Sequence, residues 1–363
     1  MQSNMKELYA IADKFAFAAT VKEIKPLGEG FINDTYIIET EGDAPRYILQ
    51  RKNHNIFPNV PAMMDNIARV TAHLKRKVEA EGGDPMREVL TIIPTHEGEL
   101  YHKEGENYWA ACLFIEGSVT HDKADTLHLA YMGGKGIGRF QAMLADFDEP
   151  LNEVIKGFHN IRWRFEQWDN ALNEDKAGRK AEVKEEIAWI MNRRAPMLDF
   201  WAMVERGELP MRVTHNDTKL SNILFDTNDE VLCMIDLDTV MSSTSLNDFG
   251  DAIRSYTNTG KEDDNDLERV GMDIEIFRAY TEGYLSERSS TMTKTEKEWL
   301  AFSALYITFE QVLRFLMDYI DGDTYYKVAY PTHNLVRTRA QFRLLQSMEE
   351  QYAEMKKIVN EIA

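Results

Sequence analysis

213-VTHNDTKLSNILFDTNDEVLCMIDLDTV-240 is the stretch whose reading decides the fold. Asp217, Lys219 and Asn222 fall at relative positions 0, 2 and 5. The apolar triplet Ile223–Phe225 follows, then the polar turn Asp226–Glu230, then a second apolar run from Val231 to Ile235 that ends at Asp236. Loop, short strand, turn and strand are expected, in a hairpin that folds Asp236 back toward Asn222. A base, a cation, an amide oxygen and a second carboxylate are what phosphoryl transfer asks of a protein. One carboxylate orients the acceptor hydroxyl; an Asn and an Asp hold magnesium against the nucleotide phosphates. Kinase catalytic loops separate their Asp and Asn by the same spacing. Asp236 comes nineteen residues after Asp217, a distance that suits loop, strand, turn and strand. Any one of these residues could merely close a turn; the combination is specific.

The 363-residue chain can bury a sizeable core and is long enough for two lobes. Its formal charge of -19, from 42 basic and 61 acidic side chains, disfavours non-specific binding to nucleic acid or anionic membranes. Phosphates must therefore be received by local cations and magnesium. Cys112 and Cys233 lie in apolar strand-like runs and read as buried thiols of a reducing compartment. No two-cysteine or cysteine–histidine metal motif is present. The longest apolar run, near 301-AFSALYITF-309, is short for a membrane span, and the N-terminus lacks the pattern of a secretory signal. A cytoplasmic protein with no membrane or nucleic-acid partner is expected, as a monomer or weak homodimer.

Outward from the opening stretch, residues 5–19 place apolar side chains at helical spacing. In 21-VKEIKPLGEGFINDTYIIETEGDAPRYILQRKN-53, a strand leads into Gly28-Glu29-Gly30, a second runs over Asn33–Thr40 and a third over Tyr47–Arg51. Gly28 and Gly30 would let backbone N–H groups approach phosphate oxygens, although two such glycines also make an ordinary tight turn. Tyr47, Leu49 and Arg51 share one face of the third strand. Arg51 is the candidate cation for the nucleotide phosphates, with Lys52 the fallback. Pro61 opens a helix whose Met64, Ile67, Thr71 and Leu74 form the buried stripe. Strands are expected at Val89–Ile93, Glu99–His102 and 108–117, the last ending in a hinge at Glu116-Gly117.

After the hinge the composition turns helical. Thr126 or Asp125 can cap a helix running to residue 147, with Gly133, Gly134 and Gly136 counting against its middle. The aromatic-rich 158–172 reads as core or groove wall; helices are expected at 182–206, within 246–258 after an opening turn, and at about 269–286, 293–320 and 332–359. Asp248-Phe249-Gly250 copies the metal motif of protein kinases but falls too late after Asn222; a carboxylate ordering the catalytic loop is the better role. Arg314 sits mid-helix among apolar neighbours and needs either an acidic partner, Glu310 or Asp318, or a polar ligand. These elements give an α+β chain, residues 1–116 an antiparallel sheet lobe with helices and 117–363 a larger, mainly helical lobe; that the two-lobed fold is protein kinase-like is what the resemblance described next implies.

Gly28-Glu29-Gly30, 215-HNDTKLSN-222, 235-IDLDT-239 and 248-DFGD-251 together resemble the aminoglycoside phosphotransferase and choline kinase-like family. The chain is similar, nearly end to end, to its N-acetylhexosamine 1-kinase branch, through 47-YILQR-51, 56-IFP-58, 278-RAYTEG-283 and 333-HNLVR-337 as well. The resemblance implies ATP and Mg2+ as cofactors and a small-molecule sugar as acceptor. It implies Asp217 as catalytic base, Lys219 near the transferred phosphate, and Asn222 and Asp236 as magnesium ligands. Adenine would lie against Phe114–Gly117, with Phe114 and Glu116 at the nucleotide. The sugar would meet Asp217, Phe31, Arg314 and Tyr325, with Tyr256 on or near its ring. The product implied is the sugar 1-phosphate of N-acetylglucosamine or N-acetylgalactosamine. Choline, ethanolamine, homoserine or an aminoglycoside are alternative acceptors, and an inactive kinase-like binding protein is the reading from another class. Phe31 stands where the sugar kinases carry histidine. Ala68 stands where a glutamate partner for the phosphate-binding cation is expected, leaving Asp65 as a substitute or the cation unpaired. Ser242-Ser243 replaces a proline-glycine turn.

Overall fold

The structure, a computed structural model, describes residues 2–28 and 33–363. Glu29, Gly30 and Phe31 lie outside the described residues. The fold is α+β, with two compact units. The first comprises Met1–Val119, Asp146–Lys156 and Leu224–Ser242; the second comprises Thr120–Ala145, Gly157–Ile223 and Ser243–Ala363. The first boundary falls three residues beyond the expected Glu116, and two later segments rejoin the first unit.

In the first unit, helix α1 (Gln2–Ala12) precedes strands β1 (Val21–Pro26), β2 (Asp34–Thr40) and β3 (Tyr47–Lys52). Helices α2 (Val60–Ala80) and α3 (Pro85–Glu88) and strands β4 (Ile92–Ile93), β5 (His102–Glu104) and β6 (Asn107–Leu113) follow. The sheet order is β1-β2-β3-β6-β4, with β5 also on β6, and these pairings are antiparallel. Ile24, Ile38, Tyr47, Leu49, Trp109 and Ala111 share one core with Leu8, Ile11 and Phe15. Strand parity therefore turns Ile48, Gln50, Lys52 and Cys112 to the opposite face.

Helix α1 ends earlier than its periodicity suggests. The chain leaves it so that Phe15 is buried beside a bridge to Thr95, and the Phe17 ring stacks on Tyr47 at 4.4 Å. The expected strand at Val89–Ile93 shrinks to two residues, because Asp84 caps a helical turn on the Met86 N–H with Pro85 at its start. Helix α2 starts at an Asn59 cap with Pro61 in its first turn, and Met64, Ile67, Thr71 and Leu74 are buried. Its buried Asn66 donates to the carbonyls of Asn152 and Val240 and accepts from the Asn152 N–H, stitching both late segments to the helix. Strands β8 (Ile223–Phe225) and β9 (Val231–Met234) form the expected two-stranded hairpin, bridged to Val119 at Phe225.

The second unit is built from α4 (Leu127–Met143), α5 (Ile161–Glu174), α6 (Lys184–Glu205), α7 (Leu246–Tyr256), α8 (Ile274–Arg288), α9 (Lys294–Asp321) and α10 (His333–Ile362). Strand β7 (Met211–Thr214) pairs with β10 (Met241–Thr244), which carries the chain into this unit. Helix α4 is unbroken through its glycines because α8 lies directly on Gly134 and Gly138, and the Tyr256 ring of α7 on Gly133. A Cβ at Gly134 would sit 2.1 Å from the Tyr280 carbonyl oxygen, and one at Gly283 would sit 1.9 Å from that of Tyr131. Small residues let the two backbones touch, a gain in packing that outweighs their poor helix propensity. Helix α9 has the length and apolar composition of a membrane span, yet 78% of its most apolar window is buried inside the protein. Thr293 and Glu296 close its N-terminus as a capping box.

Candidate active site

In the second unit, the loop after β7 presents the residues of the opening motif. Asn216 adopts φ 65°, a left-handed conformation that asparagine tolerates well. The turn is fixed from behind by Asp248, on the first turn of α7. Its carboxylate accepts from the backbone N–H groups of His215 (2.9 Å) and Asn216 (2.7 Å) and from the Gln141 amide (2.8 Å). Burial drives the Asp248 carboxyl up from its ordinary pKa, against the nearby His215 and these donors. Asp251, one turn on, accepts from the Thr218 N–H at 2.9 Å. Burial pushes that carboxyl up too, but Arg254 and His159 outweigh it and hold it below its ordinary value. His215 accepts the Asp217 N–H on Nδ1 at 3.3 Å. Asp248 thus orders the loop rather than standing in for a kinase metal motif.

This frame sets Asp217. Its Oδ2 accepts from Lys219 Nζ and from Asn222 Nδ2, both at 3.0 Å, and Asn222 Nδ2 also donates to the Asp217 carbonyl at 2.8 Å. With one carboxylate oxygen doubly held, the other can accept a hydroxyl proton. With its amide nitrogen spent, Asn222 has its oxygen as the donor atom for a hard cation.

In the first unit, the sheet face opposite α1 carries a second polar group. Lys52 is 5% exposed and donates to Asp238 Oδ1 and Gln50 Oε1, each at 2.7 Å. Asp238 Oδ2 accepts from Asn33 Nδ2 at 2.7 Å, and the Asn33 oxygen takes the Asn53 N–H at 3.0 Å. Both carboxylate oxygens of Asp238 are thereby engaged. Asp236 precedes the same turn at φ 57°, in a left-handed conformation. Burial drives the thiol of Cys112 up to about 11, with Lys52 and Asp238 within electrostatic range.

Arg51 is placed differently from the expectation. It shares the α1-side face with Leu49 but lies at its open end, exposed and paired with the equally exposed Asp34. Asp65 pairs with Arg69 on its own helix, so the cation at the end of β3 is balanced by Asp238 and by no side chain of α2. At the end of β6, the Phe114 ring lies 4.3 Å from the Arg46 guanidinium. Glu116 forms a two-pronged pair with Arg46, whose hydrogen bonds hold its carboxyl below the ordinary value. Gly28 has φ 67° and open space at its Cα, while Gly30 and Phe31 fall outside the described residues.

On the second unit, Arg314 and Tyr325 are together: Nη2 donates to the tyrosine oxygen at 3.5 Å. The guanidinium lies 5.6 Å from the rings of Phe158 and Tyr325 and 5.5 Å from that of Tyr326. Neither suggested acidic partner pairs with it. Glu310 is taken by His159 and Arg164, and Asp318 accepts the N–H groups of Thr324, Tyr325 and Tyr326. Tyr256 is not with them. It is 3% exposed and packs on Tyr280 and on Gly133, whose missing side chain makes room for the ring.

Lys52 and Asp238 deserved more weight than the sequence alone gave them; the cue was a second carboxylate two residues after Asp236. His159 carried no cue, since it stands in no motif, and Glu310 was marked only as a partner for Arg314. Among the described residues no cluster of three or more His, Cys, Asp or Glu side chains forms a ready metal cage. A magnesium ion completed by substrate phosphates needs none.

A family model described as the phosphotransferase enzyme family matches residues 23–287. Among solved structures, the chain is similar to an aminoglycoside phosphotransferase from Alicyclobacillus acidocaldarius at 13% identity, with a TM-score of 0.62, over 97% of this chain and 96% of that one. A choline kinase from Cryptosporidium parvum matches at 15% identity and TM-score 0.60, over 98% and 99%. A spectinomycin phosphotransferase, in complex with ADP and spectinomycin, matches at 15% and 0.58, over 98% of each chain. At these identities the likeness is one of fold.

Proposed function

Because the chain belongs to the phosphotransferase enzyme family, we propose that it transfers the γ-phosphoryl group of ATP to a hydroxyl of a small neutral acceptor. The acceptor class we propose is an N-acetylhexosamine, phosphorylated at its anomeric oxygen to give the sugar 1-phosphate. The observation that carries the transfer is the setting of Asp217, with Oδ2 held by Lys219 and Asn222. In this reading Asp217 orients the acceptor hydroxyl and takes its proton late. Lys219 offsets charge growing on the transferred group. Asn222 and Asp236 are the proposed magnesium ligands. The ion, when bound, neutralises phosphate charge. For the nucleotide phosphates we propose Lys52 as the cation in place of Arg51, with Gly28, Gly30 and the backbone near Phe114 and Glu116 completing the nucleotide side.

The neutral acceptor follows from Arg314. A quaternary ammonium or an amino acceptor seeks aromatic faces and carboxylates. Here the faces of Phe158, Tyr325 and Tyr326 surround the protein's own guanidinium, and Glu310 is already spent on His159 and Arg164. A hydroxyl- or carbonyl-rich ring accepts hydrogen bonds from Arg314; a cationic one meets like charge. Choline, ethanolamine, homoserine and aminoglycosides remain the competing acceptors. ATP consumption with magnesium across a panel of these and of free hexosamines separates the readings. Turnover on a hexosamine, with phosphorus–proton coupling to the anomeric hydrogen, is the expected result. Turnover on choline or an aminoglycoside alone would overturn the sugar.

Two substitutions test the nucleotide side. Lys52→Met is expected to lower kcat/KM for ATP by about 100-fold, the usual effect of removing one preorganised charge, while Arg51→Ala changes it by less than about threefold. The reverse ranking would restore Arg51. Asp236→Ala is expected to abolish the gain in ADP affinity that magnesium gives the wild type, as calorimetric titration with and without the metal would reveal.

A further inference from the structure

His159 stands outside every motif, yet it is buried against the loop that carries Asp217. Its backbone holds φ 56°, the left-handed region, uncommon for non-glycine residues although histidine enters it more readily than most, and two neighbours hold it there. The His159 carbonyl accepts from the Tyr306 hydroxyl at 2.7 Å, and that hydroxyl accepts the Ile161 N–H at 3.2 Å. Gly157, two residues earlier, has φ 63°, and a Cβ there would sit 2.1 Å from the Trp163 ring. The segment 157–160 can adopt essentially one path into α5.

That path aims both ring nitrogens of a 4% exposed imidazole at oxygens. Nδ1 meets Glu310 Oε2 at 2.7 Å, and Nε2 faces the Asn216 carbonyl at 3.5 Å. A carboxylate and a peptide carbonyl both accept, so whichever ring nitrogen carries a proton has an acceptor facing it. Glu310 suits this role. Burial pushes its carboxyl up, but His159, Arg164 and Arg314 outweigh that and hold it at about 2. Arg164 takes its other oxygen at 3.2 Å. Asn216 is the left-handed residue directly before Asp217, so its carbonyl belongs to the peptide unit that aims the proposed base. Asp248 grips that turn by its N–H groups; His159 faces it from the carbonyl side.

We infer that His159 is a positioning residue: it fixes the Asn216–Asp217 peptide unit and ties it to the Glu310, Arg164 and Arg314 cluster on the acceptor side. The inference rests on the phosphotransferase reading for its catalytic consequence. The ring touches no reacting atom; it acts through the peptide unit it holds. An acceptor seated against Arg314 is thereby linked to the aim of Asp217 through Glu310 and His159.

The test is His159→Asn in the full chain, since asparagine tolerates positive φ and its amide can replace Nδ1 at Glu310 without reaching Asn216. Two readouts are taken. With the acceptor identified above, kcat is expected to fall by about 30-fold while KM for ATP stays within about twofold, the signature of a mis-aimed group rather than a lost binding contact. Backbone hydrogen exchange at 215–218 is expected to accelerate by about tenfold, with α9 and α10 unchanged. Glu310→Gln, which keeps an acceptor for the ring but removes its charge, is expected to show the same pattern more weakly. An unaltered kcat with unaltered loop exchange overturns the inference. So does exchange that rises across the whole second unit with activity falling only in step with the folded fraction, which would make His159 a packing residue. If the wild type turns over no acceptor, the functional reading fails separately. Loop exchange then decides the positioning role alone: local acceleration supports it, and none overturns it.

Discussion

Asp217→Asn leaves a folded protein that binds ATP and turns over about a thousandfold more slowly. Asparagine keeps the shape, so its oxygen can still accept from Lys219 and Asn222, and the loop behind it is held by Asp248 through backbone N–H groups that the change does not touch. What is lost is the proton acceptor and the negative charge that aligns the hydroxyl, worth about 100- to 10,000-fold in positioned general-base catalysis. The measurement is kcat beside nucleotide affinity from titration. Near-normal turnover would remove Asp217 from the mechanism. Equal losses in affinity and turnover would mean the loop itself had collapsed.

Gly283→Ala destabilises the second unit by about 3 kcal/mol or more, although helix propensity alone predicts the opposite sign. Alanine in an exposed helix gains about 1 kcal/mol over glycine. At position 283 the new methyl would sit 1.9 Å from the Tyr131 carbonyl oxygen and 2.9 Å from the Lys135 backbone nitrogen, both on α4. Backbone atoms of a packed helix cannot swing aside as a side chain can, so α4 and α8 must separate and lose apolar contact along their length. Gly134→Ala meets the Tyr280 carbonyl at 2.1 Å and should behave alike. Gly271→Ala, whose nearest neighbour is the Ser347 hydroxyl at 3.4 Å, is the control and should stay within about 1 kcal/mol. Thermal and urea unfolding read the difference. A stabilised Gly283→Ala would mean that the helices do not touch here.

These glycines mark where sequence reading stops. A run of Gly133, Gly134 and Gly136 argues against a helix when propensity is summed locally, and the packing of α8 on Gly134 and of Tyr256 on Gly133 reverses the sign. The 213–240 stretch was legible as structure because its pattern is local: spacing alone put loop, strand, turn and strand in order. Strand parity similarly placed Arg51 and Lys52 on opposite faces of β3. It could not say which face α1 would cover, and that decides which cation is buried. Arg314 announced itself as a charge in an apolar helix, whereas its aromatic neighbours come from two other segments, Phe158 before α5 and Tyr325-Tyr326 after α9. Tyr256 entered through family resemblance; a tyrosine with a glycine opposite it on another helix has no local mark of burial. His159 depends wholly on tertiary placement.

The Lys52–Asp238 pair bears on regulation. In protein kinases the corresponding lysine is paired by a glutamate on a helix, and displacing that helix is a common way of switching the enzyme off. Here the pair joins β3 to the turn after β9, and α2 contributes no side chain to it. Moving α2 would therefore not leave the cation uncompensated. Among the described residues, the charge of Lys52 is thus balanced by the turn after β9 independently of α2.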